Sequence, residues 1–279
     1  MTGSLFVVGT PIGNLGDMSQ RAIDTLNMVD FIAAEDTRVT RKLLSHFDIK
    51  KPMISYFEHN KYQRGEIICE RILNGENCAI VTDAGMPAIS DPGEILVKQC
   101  HEKGIEVKAI PGPSALISAL AISGLPSGRF TFEGFLSVNK KSRKEHLEEI
   151  KNEKRTMIFY EAPHKLLNTL KDLYMALGER DVAIVREITK VHEEIKFINL
   201  KDAESLYSNG VKGEIVIIIK GKEQSEAQNI DISTAVNMAM NLINDGMGIT
   251  EAAKAIAKDT EFSKSEIYKA ILMAQESNE

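Results

Sequence analysis

Cys78-Ala79-Ile80-Val81-Thr82-Asp83-Ala84-Gly85-Met86-Pro87-Ala88-Ile89-Ser90-Asp91-Pro92-Gly93 decides how the rest of the chain is read. Its first four residues are a short apolar run of the kind that forms a strand buried on both faces. The run stops abruptly at Asp83. The stretch from there to Gly93 is dense in small residues, prolines and acids, which neither continue a strand nor open an ordinary helix. In open α/β sheets, ligands sit outside the carboxyl ends of the strands. The loop is therefore a ligand-site candidate, with a rigid strand-to-helix turn as the alternative.

The same grammar holds on both sides of this stretch. Leu5–Val8 is an apolar run ending in the tight turn Gly9-Thr10-Pro11-Ile12-Gly13-Asn14. The turn is not a GxGxxG fingerprint, because Pro11 stands where the second glycine would be, and no Gly-Lys-Ser/Thr comes after it to make a P-loop. Phe31–Ala34 ends in Glu35-Asp36-Thr37-Arg38, and Ile54–Phe57 ends in Glu58-His59-Asn60. Helices are expected between these strands. Asp17 or Ser19 caps one whose apolar face is Ala22, Ile23, Leu26 and Val29. Val39–Phe47, Arg64–Leu73 and Leu96–Lys103 are the others. Val107–Ile110 is the next strand, and Pro111-Gly112-Pro113-Ser114-Ala115 leads into a helix through Leu116, Ala119 and Leu120, with Pro113 suited to its first turn. Alternating strands and helices predict an α/β domain with a largely parallel sheet. Successive strands ending in polar clusters on one rim favour a site lip. No His/Asp/Glu grouping has metal-ligand spacing, and His59 reads as a hydrogen-bonding loop residue.

Ser123-Gly124-Leu125-Pro126-Ser127-Gly128 is the clearest linker. Strands are expected at Phe130–Leu136, Thr156–Tyr160, Val182–Val185 and Glu214–Lys220, giving a mixed second sheet. From Ile230 the pattern is helical, with helices at Ser233–Asn244 and Thr250–Lys258 and a capping box at Ser263–Glu266 opening a third. The expected domains are 1–122 and 123–224, both α/β, and a small helical module at 225–279.

The chain has 279 residues, 43% hydrophobic and 27% charged, with a net charge of -6. That charge divides into -3 over residues 1–125, +3 over 126–222 and -6 over 223–279. The acidic tail argues for a packing or interaction module rather than a phosphate binder, while the basic middle leaves nucleic acid open. The sequence lacks a membrane-spanning run and signal-peptide features, so a cytoplasmic protein is expected. Cys69, Cys78 and Cys100 read as reduced thiols.

Taken together, Val8–Leu15, Glu35–Arg38, Asp83–Pro87 with Ser90–Gly93, Pro111–Ala115, Phe159-Tyr160-Glu161-Ala162-Pro163-His164 and Arg186-Glu187-Ile188-Thr189-Lys190 resemble the ribosomal-RNA branch of the tetrapyrrole methylase family over about residues 4–222. Six motifs in register are specific where one would be weak. The corrin-modifying branch has Gly-Asp-Pro where this chain has Gly85-Met86-Pro87. The resemblance implies two α/β domains of the class III methyltransferase type. It implies S-adenosylmethionine bound between them, and methylation of the ribose 2′-hydroxyl of cytidine 1402 in the decoding region of 16S rRNA, within the 30S subunit. It also implies a homodimer, without membrane or metal. Motif matching places Ile12, Gly85, Met86, Ile89, Ser114 and Ala115 at the cofactor, with Asp83, Pro87 and Tyr160 as neighbours.

Methyl transfer from a sulfonium needs in-line approach of the acceptor oxygen, and a base or cation near a weakly nucleophilic hydroxyl helps. The rim candidates are Glu35, Asp36, Arg38, His59, Asp83 and Glu187, and Glu35, Asp36 and Arg38 are expected to act together on the acceptor side. Arg21, Arg38, Arg41, Lys42, Lys140, Lys141, Arg143 and Lys144 are the expected RNA contacts. Two alternatives stay open: a small-molecule methyltransferase of the same fold acting on a corrinoid, and a non-catalytic RNA-binding protein.

Overall fold

The apolar runs become strands because each is buried on both faces. Ser4–Val8 (β1), Phe31–Ala34 (β2) and Cys78–Val81 (β4) are buried along their whole length. With Met53–Ser55 (β3) and Glu106–Ile110 (β5) they form an all-parallel sheet in the order β3-β2-β4-β1-β5. The computed structural model describes residues 2–223, 231–257, 260 and 262–276. The chain divides into two units, Met1–Gly221 and Lys222–Glu279.

Helices α1 (Gln20–Met28) and α2 (Thr37–His46) cover one face of this sheet, through Ala22, Leu26 and Leu44. Helices α3 (Lys61–Leu73) and α4 (Gly93–Glu102) cover the other, through Ile68, Ile72 and Leu96. β1 and β4 are neighbours, yet β1 leads to α1 and β4 to α4, on opposite faces. Their exit loops must diverge, and such a crevice is where open α/β sheets hold ligands.

The second sheet lies in the same unit. Phe130–Gly134 (β6), Thr156–Glu161 (β7), Asp181–Arg186 (β8), Glu194–Asn199 (β9) and Ile215–Ile219 (β10) run in the order β6-β7-β10-β8-β9. Only the β6–β7 pair is parallel, so the sheet is mixed, as expected. Lys140–Ile150 (α6), Leu166–Leu177 (α7) and Leu200–Leu206 (α8) pack on one face through Ile150, Leu170 and Ala203. The other face receives α5 (Ala115–Ile122), which comes after β5 of the first sheet but buries Leu116, Ala119 and Leu120 against Ile158, Val185 and Val216. Both halves therefore meet at the head of α5.

Several boundaries differ from expectation for local reasons. α2 begins at Thr37 rather than Val39, because the Asp36 side chain accepts the Arg38 N–H and caps it. β3 stops at Ser55. Tyr56 turns inward and donates its hydroxyl to the Pro92 carbonyl at 3.0 Å, and Asn60 takes the Phe57 N–H. Helix α5 starts at Ala115, with Pro113 ahead of it. The basic run 140–144 is the first turn of α6, capped by Asn139, which accepts from Lys141 and Ser142. β9 escaped the sequence reading, because on this edge strand no residue is fully buried and the apolar alternation fades.

In the other unit, Ile232–Asn244 (α9), Ile249–Ile256 (α10) and Lys264–Glu276 (α11) share a core of Ala235, Ala239, Ala252, Ala253, Ile267 and Ile271. The capping box is present: Ser263 N–H donates to Glu266, and Glu266 N–H to Ser263 Oγ. Residues 224–230, where the helical tail was expected to begin, and Lys258 lie outside the described residues.

Candidate functional site

A cavity of about 470 Å³ opens where the two sheets meet. The first sheet supplies Ile12 from the loop after β1, Glu35 after β2, Thr82–Met86 and Ile89–Asp91 after β4, and Ser114 and Ala115 after β5. The second supplies Phe135 after β6, Tyr160–Pro163 from the end of β7, Val185 and Ile188 from β8 and its exit, and Glu214–Val216 at the start of β10. The volume suits a small-molecule cofactor.

Close backbone packing holds the first sheet's lip. Thr10 and Gly85 exchange backbone hydrogen bonds of 2.9 and 3.1 Å, joining the loops after β1 and β4. Gly85 has φ +83°, a conformation that glycine adopts without penalty. A Cβ on Gly9 would lie 2.7 Å from Gly112 Cα and from Met86 Sδ, and one on Gly112 would lie 2.8 Å from the Gly9 backbone. Only glycines let these strands' exits approach so closely. In the 82–93 loop, Ala88 and Ser90 sit at φ +66° and +63°, which strains non-glycine residues. Asp91 holds this turn, accepting the Ala88 N–H at 3.0 Å and the Gly93 N–H at 2.7 Å. On the facing side, the Tyr160 hydroxyl accepts the Leu116 N–H at 3.2 Å, meeting one free donor at the head of α5.

The wall carries five carboxylates, Glu35, Asp83, Asp91, Glu161 and Glu214, and no lysine, arginine or histidine. Neutral donors satisfy most of them. Thr82 donates to Glu35, Asp36 N–H to Asp83, and Thr169 and Ala162 N–H to the buried Glu161. Glu214 alone meets a cation directly, Lys190 at 3.1 Å. Desolvation and the charge of Glu35 raise the Asp83 carboxyl above its ordinary value, and burial raises Asp91 against the pull of the backbone amides of Gly93, Ala88 and Ile89. A largely apolar, net-negative cavity suits an uncharged or cationic ligand and repels phosphate.

Ile12, Asp83, Gly85, Met86, Ile89, Ser114, Ala115, Tyr160 and Glu35 come together in this wall. Pro87 is buried and does not line it. Asp36 and Arg38 lie on the rim outside, paired at 2.6 Å. The Arg38 hydrogen bonds pull the Asp36 carboxyl down to about 2. Glu187 accepts from Lys190 and from the Glu214 N–H, and His59 is exposed. Arg21, Arg41, Lys42, Lys140, Lys141 and Lys144 are exposed, and none lines the cavity. Arg143 differs from its neighbours: it donates to Asp172 at 2.7 Å and to Thr169 at 2.9 Å, so its guanidinium is turned to the protein. The sequence reading passed over Phe135, Glu161 and Glu214 as wall residues and took in Asp91 only as part of the 82–93 stretch. Glu161 adjoins Tyr160 in a noted motif, but the inward turn of Phe135 depends on a bulge that no local pattern announces.

The model of the Tetrapyrrole (Corrin/Porphyrin) Methylases matches residues 4–204. The protein named ribosomal RNA small subunit methyltransferase I from Haemophilus influenzae is 44% identical over 272 residues, covering 96% of both chains. Its namesake from Halalkalibacterium halodurans is 45% identical over 95% of this chain and 93% of its own. That from Thermotoga maritima is 48% identical over 79% of this chain and 100% of its own. Among solved structures, the methyltransferase CobJ superposes with a TM-score of 0.60 at 18% identity, over 79% of this chain and 95% of that one. Uroporphyrin-III C-methyltransferase from Thermus thermophilus, complexed with S-adenyl homocysteine, gives 0.55 at 15% identity, over 79% and 98%. At those identities the superpositions speak for the fold, that of the class III methyltransferases.

Proposed function

The chain belongs to the tetrapyrrole (corrin/porphyrin) methylase family, and from that premise we propose that it methylates ribosomal RNA with S-adenosylmethionine as donor. The acceptor is the ribose 2′-hydroxyl of cytidine 1402 in the decoding region of 16S rRNA, presented within the 30S subunit. The observation that carries the donor is the cavity's charge: a sulfonium cation fits an apolar wall with five carboxylates and no basic residue. S-Adenosylmethionine supplies an activated methyl group on that sulfonium. Ile12, Gly85, Met86, Ile89, Ser114, Ala115 and Tyr160 would hold it, with Asp83 beside them and Pro87 stiffening the loop.

The chain's own contribution is positioning and proton management. Tyr160 holds the head of α5, and the Thr10–Gly85 pair fixes the opposing loop. Glu35 reaches the acceptor side from the wall, while Asp36 stays ionised and holds Arg38 at the rim. Exposed Arg21, Arg41, Lys42, Lys140, Lys141 and Lys144 meet RNA phosphates outside the cavity, where no carboxylate wall opposes them.

Radiolabelled methyl transfer to 30S subunits, naked 16S rRNA and a corrinoid, run side by side, tests this reading. Label is expected in RNA, at a cytidine 2′-oxygen. Label in the corrinoid alone would refute it. A variant with alanine at Glu35, Asp36 and Arg38 is expected to bind donor but methylate slowly; wild-type turnover would remove those residues from the acceptor side.

A further inference from the structure

Phe135 is an unusual wall residue. It lines the cavity, yet 57% of it is exposed. A large apolar side chain left this open gains little for folding, because burial is what stabilises it. Its backbone is nevertheless built to hold it there. The β6–β7 register slips between Phe132 and Gly134, and Gly134 takes φ +63°. Such bulges re-aim side chains beside active sites. The next residue, Leu136, is buried at 4% in the core of the second sheet, so the segment is anchored immediately after the exposed ring.

The ring is also held from beneath. Phe135 and Tyr160 lie 5.7 Å apart at 59°, and Tyr160 packs against Phe132 at 5.0 Å. Tyr160 is itself fixed by its bond with the Leu116 N–H. The facing lip is close: a Cβ on Gly134 would lie 3.8 Å from Ser90 Oγ, and beside Ser90 is Ile89, 49% exposed and also in the wall. The cavity is thus lined by an exposed aromatic ring from the second sheet and an exposed isoleucine from the first.

Charge selects what enters such a cavity. The wall has no cation for a phosphate, but Lys140, Lys141 and Lys144 are exposed on α6, which begins five residues after Phe135. A strand whose phosphates lie on α6 would present a base, not a phosphate, to the ring. Single-stranded RNA is commonly recognised by bases stacked on aromatic side chains. Resting on the RNA-methylation reading above, we propose that Phe135 is the platform on which the target nucleobase stacks, fixing the ribose hydroxyl at the cavity mouth.

Phe135→Leu and Phe135→Tyr in the full chain test this, because leucine keeps apolar bulk and tyrosine keeps the ring. Wild-type turnover on 30S subunits and on naked 16S rRNA first identifies the acceptor. On that acceptor, F135L is expected to raise KM by about 5- to 150-fold, the range that loss of a stacked base spans, with kcat changed less. F135Y is expected to restore the wild-type KM. Calorimetric affinity for S-adenosylmethionine and the thermal midpoint should match in all three proteins. A wild-type KM in F135L, equal behaviour of the leucine and tyrosine variants, or weakened donor binding with RNA kinetics intact would each overturn the platform. If wild type labels neither RNA, the functional reading fails and the platform falls with it.

Discussion

Gly112→Ala is the sharpest test of how the cavity lip is built. The added Cβ would stand 2.8 Å from the Cα and carbonyl carbon of Gly9 and 2.9 Å from its oxygen. These are backbone atoms, and Gly9 is tied down by its N–H bond to the Ile110 carbonyl at 3.1 Å and by the β1–β5 pairing that ends at Val8 and Ile110. No rotamer relieves the contact. Overpacking costs about 1–3 kcal/mol, and a backbone-on-backbone clash belongs at the upper end, about 3 kcal/mol. In a unit of this size each kcal/mol moves the melting midpoint by about 2–4 °C, so a fall of roughly 6–12 °C is expected by scanning calorimetry. Gly128→Ala is the control, since its Cβ would meet nothing within 4 Å. It should stay within about 0.5 kcal/mol of wild type, as surface changes do. Calorimetric titration completes the assay: any shift between Gly9 and Gly112 passes to Met86 in the cavity wall, so donor affinity should fall in G112A and hold in G128A. If G112A melts with the control and binds donor normally, the two glycines are not there for close approach.

Two further outcomes rest on the site's charges. Replacing Lys140, Lys141 and Lys144 together with glutamine should weaken RNA binding and flatten the slope of log affinity against log salt by roughly 2, at about 0.7 per single-strand phosphate contact; an unchanged slope would take α6 out of the RNA path. Asp91→Asn tests the half-buried carboxylate. Its raised value means that it contributes stability which is complete below the ordinary 3.8 and lost as pH rises through the folded value. Asparagine abolishes that loss, so the variant's melting midpoint relative to wild type should climb as pH rises above the ordinary 3.8, and a flat or falling difference would show that the carboxyl is not raised.

Features that depend on neighbours along the chain were legible in the sequence. Apolar runs that halt at Asp83, Glu35 or Gly9 announce buried parallel strands and their exits, because both effects are local. The cavity-wall residues after β1, β4 and β5 were legible for the same reason, since each comes directly after a strand end. Phe135 was not. Its position depends on a register slip against β7, a partner that begins more than twenty residues later. Arg143 illustrates the reverse error. In sequence it belongs to a basic run, but helical geometry turns it onto Asp172 and Thr169 of α7 while Lys140, Lys141 and Lys144 stay outward. A charge run gives composition; the helix period decides which members face solvent.

The rim carboxylates are not equivalent as proton acceptors, and the inequality comes from their partners. When a hydroxyl is alkylated it must lose its proton, and a base works best when its own affinity for that proton is not suppressed. Asp36 is the poorest candidate. Its carboxylate faces Arg38 and caps α2, and together these hold it down to about 2. Its role is to stay charged and to keep the guanidinium in place. Asp83 is its opposite. Desolvation and the neighbouring charge of Glu35 make it reluctant to remain ionised. Both Glu35 and Asp83 lie in the wall, at the ends of the adjacent strands β2 and β4. A proton released at the cavity mouth relieves like-charge repulsion there, whereas at Asp36 it would break an ion pair. The neighbouring charge of Glu35 therefore makes Asp83 a better proton acceptor than Asp36, and on the methyl-transfer reading proposed above Asp83 would take the proton while Asp36 holds Arg38 on the rim.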